Sequence, residues 1–126
     1  MLLVVDTSVL IDHLRQDERA VRRLRAVAES TDELWSVTPV RTEIYAGARE
    51  SEEEAIAELL AELRWLDVSI ALADAAGRMA ATYRRSHPGV DTVDCLLAAA
   101  TQELGADLLT QNVKHFPMIA GLQPAY

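Results

Sequence analysis

Short apolar runs alternate with segments of helical periodicity along the chain, and the first of them, LLVV at residues 2–5, sets the terms for the rest. Four consecutive apolar residues with two adjacent valines have no polar face, the pattern of a strand buried on both sides in a parallel sheet. The run stops on Asp6, and Val9, Leu10 and Leu14 then recur at helical spacing. Thr7 or Ser8 supplies the hydroxyl that a helix N-cap calls for.

The alternation repeats. After the polar break at Gln16, Asp17 and Glu18, a second helix carries Val21, Leu24 and Ala28, and STDE at 30–33 closes it. LWSV at 34–37 reads as the second strand, and Thr38-Pro39 as cap and first turn of a helix running to about Arg49. ESEEE opens another helix, with Ile56, Leu59, Leu60 and Leu63 on one face. A third strand is expected at residues 66–68, and Leu72, Ala75, Ala76, Met79 and Tyr83 mark the helix after it. SHPG at 86–89 interrupts the pattern. Thr92 to Leu104 is again helical with Gly105 as its stop, ADLLT is the fourth strand, and the closing LQPAY reads as an edge strand or a loop.

Strand–helix alternation of this kind implies an α/β fold with a central, mainly parallel sheet of four to five strands flanked by helices. With 126 residues, no internal repeat and no linker, a single domain over residues 1–126 is expected. One cysteine, Cys95, excludes an internal disulfide and fits a reducing compartment. Only four apolar residues separate Met1 from Asp6, and no run approaches the roughly 20 residues that span a bilayer. A cytoplasmic protein with no membrane partner is therefore expected. The formal charge of −8 argues against general nucleic-acid binding, but leaves room for a local basic surface.

In such sheets ligands bind beyond the carboxyl ends of the strands, where Asp6 stands. Two further acids occupy comparable borders. On the helix after Pro39, Glu43 falls roughly 85° from the centre of the face bearing Val40, Ile44, Gly47 and Ala48. On the helix from Thr92, Asp94 falls roughly 90° from the stripe of Val93, Leu97, Ala100 and Leu104. Asp94 also sits in a first turn, where the helix dipole favours an ionised carboxylate. Asp91 and Asp94 have in addition the spacing of a capping pair with Asp91 as N-cap.

Gathering Asp6, Glu43 and Asp94 would be costly, because two charges about 4 Å apart repel by roughly 4 kcal/mol at an effective dielectric near 20. A divalent cation reverses that sign. Carboxylate oxygens suit Mg2+ or Mn2+, whereas one cysteine and scattered histidines do not make a zinc site. Taken singly, each acid has a simpler reading as a helix cap or a solvated charge.

Four stretches, VVDTSVLID at 4–12, TPVRTEIYAGAR at 38–49, GVDTVDCLLAAAT at 89–101 and LLTQNVKHFP at 108–117, resemble in order and spacing the PIN-domain proteins, and specifically the VapC ribonuclease toxins of type II toxin–antitoxin systems. The likeness covers nearly the whole chain. It implies a PIN-like three-layer α/β fold and a metal-dependent endoribonuclease. By motif, Asp6, Glu43 and Asp94 match the acids that hold Mg2+ or Mn2+, and Asn112, two residues after Thr110, takes the fourth catalytic position. An amide is a weaker ligand than a carboxylate, so Asn112 is the departure from a purely acidic set and suits orienting a water. Thr7, Ser8, Asp91 and Thr110 are expected to support these groups. The resemblance further implies an RNA substrate, a VapB-type antitoxin, a homodimer and a toxin–antitoxin hetero-oligomer.

Other features have plainer readings. Arg15, Arg19, Arg22 and Arg23 would form one basic face if a helix continued through QDE, able to track RNA phosphates or simply solvated. Phe116 is expected to pack and His115 to stay near the surface, within reach of an RNA base. Cys95, flanked by Leu96 and Leu97, reads as packing rather than as a nucleophile. A signalling receiver domain has similar length and alternation, but its acceptor acid should end a strand near mid-chain, where ESEEEAIAELL is helical. The remaining alternative is a noncatalytic PIN-fold interaction module.

Overall fold

The computed structural model describes residues 1–126. The elements follow the expected order: β1 (Leu2–Val5), α1 (Thr7–Leu14), α2 (Glu18–Ala28), β2 (Glu33–Val37), α3 (Thr38–Ala46), a 3-10 turn (Glu50–Glu52), α4 (Glu53–Ala61), β3 (Arg64–Leu66), α5 (Ile70–Tyr83), α6 (Thr92–Leu104), β4 (Asp107–Leu109) and a 3-10 turn (Val113–His115). All strand pairings are parallel, in the order β3-β2-β1-β4, with Val4 facing Trp35 on one side and Leu108 on the other.

That order places the site. The chain steps outward from β1 through β2 to β3, then returns across the sheet to lay β4 on the free side of β1. Parallel crossovers are right-handed, so α1 to α4 cover one face and α5 and α6 the other. Consistent with this, α6 packs on β1, β2 and β4 while α5 packs on α6. The direction reverses at β1, and the crevice between the carboxyl ends of β1 and β4 is the topological switch point.

β1 is central, so Val4 and Val5 are wholly buried and anchor a core that includes Val9, Leu10, Val37, Val40, Leu60 and Leu97. Gly105 ends α6 at φ +61, the left-handed conformation for which glycine carries no Cβ penalty. Phe116 is buried beneath the loop after β4 and Cys95 is sealed inside α6, both as the sequence suggests.

Several details differ from the sequence reading. Neither Thr7 nor Ser8 caps α1. Both lie inside it, Asp6 occupies the N-cap position, and its side chain makes no cap bond. Likewise Val37 precedes α3 and Thr38 is already helical. α3 ends at Ala46, short of Arg49, and α4 ends at Ala61, leaving buried Leu63 in the turn beyond. β3 lies two residues earlier than expected, because Trp35 to Val37 pair with Arg64 to Leu66. LQPAY is a loop. The continuous basic face does not form. Gln16 at φ +64 breaks the helix, Asp17 caps α2 by accepting from the Arg19 and Ala20 amides, and the Arg19 guanidinium is held by Asp17.

Candidate active site

Asp6 emerges from the central strand with its backbone N–H donating to Leu109 O at 2.9 Å, which ties β1 to the end of β4. The residue is 5% exposed, and two hydroxyls converge on one oxygen of its carboxylate. Thr110 Oγ1 donates to Asp6 Oδ2 at 2.7 Å, and Ser8 Oγ donates to the same atom at 3.0 Å. These hydroxyls are themselves held. The Asn112 amide donates to Thr110 Oγ1 at 3.0 Å and the Gln111 amide to Ser8 Oγ at 3.2 Å.

Asp94 is 6% exposed at the start of α6. The capping pair is present and reciprocal: the Asp94 amide donates to Asp91 Oδ1 at 2.8 Å, and the Asp91 amide donates to Asp94 Oδ2 at 3.0 Å. His115 Nδ1 approaches the same Oδ2 at 3.4 Å. Burial pushes the Asp94 carboxyl up to about 7, with the Asp91 and Asp6 charges acting in the same direction and the Asp91 amide and His115 opposing.

Each of the two buried acids thus has Oδ2 pinned by the protein and Oδ1 without a protein hydrogen bond. Neither Oδ1 is sealed from solvent, since only His13 Nδ1 and Trp35 Nε1 are buried side-chain polar atoms without partners. Asp6 and Asp94 each present one open hard oxygen, the Asp6 charge is near enough to raise the Asp94 carboxyl, and no Lys or Arg forms an ion pair with either acid.

Glu43 is exposed on α3, where its side chain accepts from Thr7 Oγ1 at 2.8 Å. No three His, Cys, Asp or Glu side chains stand close enough to share one ion in this arrangement. The carboxylate donors of Asp6 and Asp94 fit Mg2+ or Mn2+ in chemistry, while Glu43 is held by Thr7. Asn112 precedes the 3-10 turn with its side chain exposed, so the structure brings its backbone, and not its amide group, into the network. Asp91 is exposed and serves as the cap.

Two contacts were not legible beforehand. One is His115 against Asp94, for which the only signal is a histidine shortly after the last strand. The other is the closing segment. Ala125 N donates to Thr110 O at 2.9 Å, and Gln111 and Tyr126 exchange hydrogen bonds at 3.2 Å in both directions. The Tyr126 hydroxyl donates to Asp12 Oδ2 at 2.5 Å, and burial together with this bond raises the phenol above its ordinary range. Nothing in LQPAY marks it as a brace for the loop that holds Asp6.

A family model described as PIN domain matches residues 3–122. Ribonuclease VapC19 of Mycobacterium tuberculosis is 42% identical over 123 residues, 98% of each chain. Ribonuclease VapC10 of the same organism is 36% identical over 126 residues, 99% of this chain and 93% of that one. A toxin-antitoxin complex from Klebsiella pneumoniae contains a chain of similar fold, with a TM-score of 0.81 at 22% identity over 98% of each chain.

Proposed function

The chain belongs to the PIN-domain family, among its VapC ribonucleases, and from that premise we propose that it is an endoribonuclease acting as the toxin of a toxin–antitoxin pair. The observation that carries the reading is the pair of buried carboxylates, Asp6 and Asp94, each with one oxygen fixed and one open at the switch point of the sheet. A noncatalytic binding module has no use for two desolvated acids facing one crevice.

Asp6, Asp94 and Glu43 are the residues to hold Mg2+ or Mn2+. Such an ion supplies Lewis-acid activation of the scissile phosphate and of the attacking water. The protein's own part is positional. Ser8 and Thr110 fix the rotamer of Asp6, the Asp91 amide and His115 fix that of Asp94, and Thr7 keeps Glu43 within reach. Asn112, exposed beside this network, is suited to orienting water or a phosphate oxygen.

The proposed partner is a VapB-type antitoxin. A groove of about 320 Å³ lined by Ile11, Leu14, Ile44, Ala48 and Ile56, with Arg15, Arg49 and Glu43 on its walls, supports an amphipathic segment reaching Glu43. We place the protein in the cytoplasm, as a homodimer that assembles with antitoxin into a hetero-oligomer. No helix is long and apolar enough to cross a membrane.

The decisive test incubates purified protein with total RNA in Mg2+ or Mn2+, in chelator, and with added antitoxin. Cleavage is expected only with the metal and without antitoxin, and Asp6→Asn is expected to abolish it. Undiminished cleavage by Asp6→Asn or in chelator overturns the site. Absence of cleavage of any RNA, with tight antitoxin binding retained, favours the noncatalytic module.

A further inference from the structure

Asp12 stands in the last turn of α1, where the helix dipole disfavours a carboxylate. What it gains there is the hydrogen bond from the Tyr126 hydroxyl at 2.5 Å. The Arg19 guanidinium lies 5.3 Å from the centre of the Tyr126 ring and is itself held by Asp17 at 3.1 Å. One tyrosine thus touches the end of α1 and the start of α2.

Ser8 lies four residues before Asp12, so the two side chains share one face of α1. Both reach the segment that follows β4. The Gln111 amide donates to Ser8 Oγ at 3.2 Å, and the Gln111 side chain exchanges hydrogen bonds with the Tyr126 main chain, Nε2 donating to Tyr126 O and Oε1 accepting from Tyr126 N. Ser8, Gln111, Tyr126 and Asp12 therefore close a ring through one turn of α1. Thr110 is tied to the same segment, its O accepting from Ala125 N at 2.9 Å.

The ring bears on Asp6 through a single proton. A serine hydroxyl has one proton to give and two lone pairs to receive. At Ser8 the Gln111 amide occupies a lone pair, and the proton goes to Asp6 Oδ2 at 3.0 Å. With Gln111 displaced, the hydroxyl can turn to other acceptors, and Asp6 Oδ2 keeps only Thr110.

We propose that Tyr126, acting through Gln111 and Ser8, is a positioning residue for Asp6: its bond to Asp12 keeps the turn after β4 in register on α1, and so keeps the Ser8 proton on the carboxylate. The inference rests on the ribonuclease reading and adds Asp12, Gln111 and Tyr126 as residues that act on the acid through others. The competing role is that of a tether that only fastens the closing segment to the body. A tether contributes to stability and leaves turnover per folded molecule alone.

The test compares wild-type protein with Tyr126→Phe, which keeps the ring and the main-chain exchange, with Asp12→Ala, and with both together. Gly105→Ala is the destabilised control outside the ring. The readouts are kcat and KM for RNA cleavage per folded molecule, and NMR hydrogen exchange of the Gln111 amide in metal-free protein. Each single variant is expected to lower kcat about fivefold with KM retained, and the pair to lower it no further, because both remove one interaction. The Gln111 amide should exchange about tenfold faster relative to the amides of β1, whereas Gly105→Ala should leave kcat and that ratio at the wild-type level. Wild-type kcat in both single variants reduces Tyr126 to a tether and overturns the proposal, as does wild-type exchange at Gln111 or a loss in the double variant equal to the product of the single losses. Those results leave the nuclease intact. If wild-type protein cleaves no RNA, the nuclease reading itself fails and the positioning role falls with it.

Discussion

Thr110 Oγ1 donates to Asp6 Oδ2 at 2.7 Å, joining residues 104 positions apart in sequence at the carboxyl ends of adjacent strands. Thr110 is wholly buried and its hydroxyl also accepts the Asn112 amide, so one oxygen fixes both an acid and the turn carrying Asn112.

Thr110→Val keeps the shape and removes that oxygen. The loss of a buried hydrogen-bond pair should lower stability by about 1–2 kcal/mol in chemical denaturation. Cleavage should fall by about tenfold or more through misplacement of Asp6. Thr110→Ser is expected to restore most of the activity, and wild-type cleavage by Thr110→Val would remove this hydroxyl from the site.

Asp94→Asn should separate stability from activity. The folded carboxyl holds its proton up to about 7 against an ordinary value of 3.8, so between those pH values the folded state binds more protons than the unfolded one. This residue's contribution to stability therefore declines as pH rises through that window and stays low above it. In metal-free protein, Asp94→Asn is expected to be more stable than wild type at pH 8 by about 1–3 kcal/mol, with the gap closing near pH 4. Cleavage should be lost. Thermal melts across pH in chelator provide the check, and a variant less stable than wild type at pH 8 contradicts the assignment.

Thr7→Val releases Glu43 without disturbing the core, because Glu43 is exposed. Stability should change by less than about 0.5 kcal/mol. The specific activity should drop several-fold, and higher Mg2+ or Mn2+ should recover part of it. Activity equal to wild type at limiting metal would show that Glu43 needs no such tether.

Gly105→Ala serves as a structural control. Its φ of +61 leaves space for a methyl group but strains any L side chain, so a loss of about 1 kcal/mol is expected. Activity per folded molecule should remain at the wild-type level.

The architecture was legible because it depends on patterns local to the chain. Two-sided burial of β1 reads directly from LLVV, and Asp91 with Asp94 carries its capping relation within four residues. The limits of β3 were not legible, since Trp65 and Leu66 are placed by pairing with Ser36 and Val37 rather than by their own periodicity. The arginine spacing at 15, 19, 22 and 23 was misleading for a comparable reason. A left-handed Gln16 and the Asp17 cap interrupt the helix that would have aligned them.

Sequence by itself determined the alternation of elements, the identity of the acids at their ends and, through four ordered motifs, the family. These follow from periodicity and residue chemistry, which need no knowledge of distant neighbours. Only the tertiary structure decided that Thr7 and Ser8 serve acids rather than a helix cap, and that one oxygen of Asp6 and one of Asp94 remain open. Each of those depends on which strand ends lie side by side, and that is set by the return of the chain across the sheet to place β4 against β1.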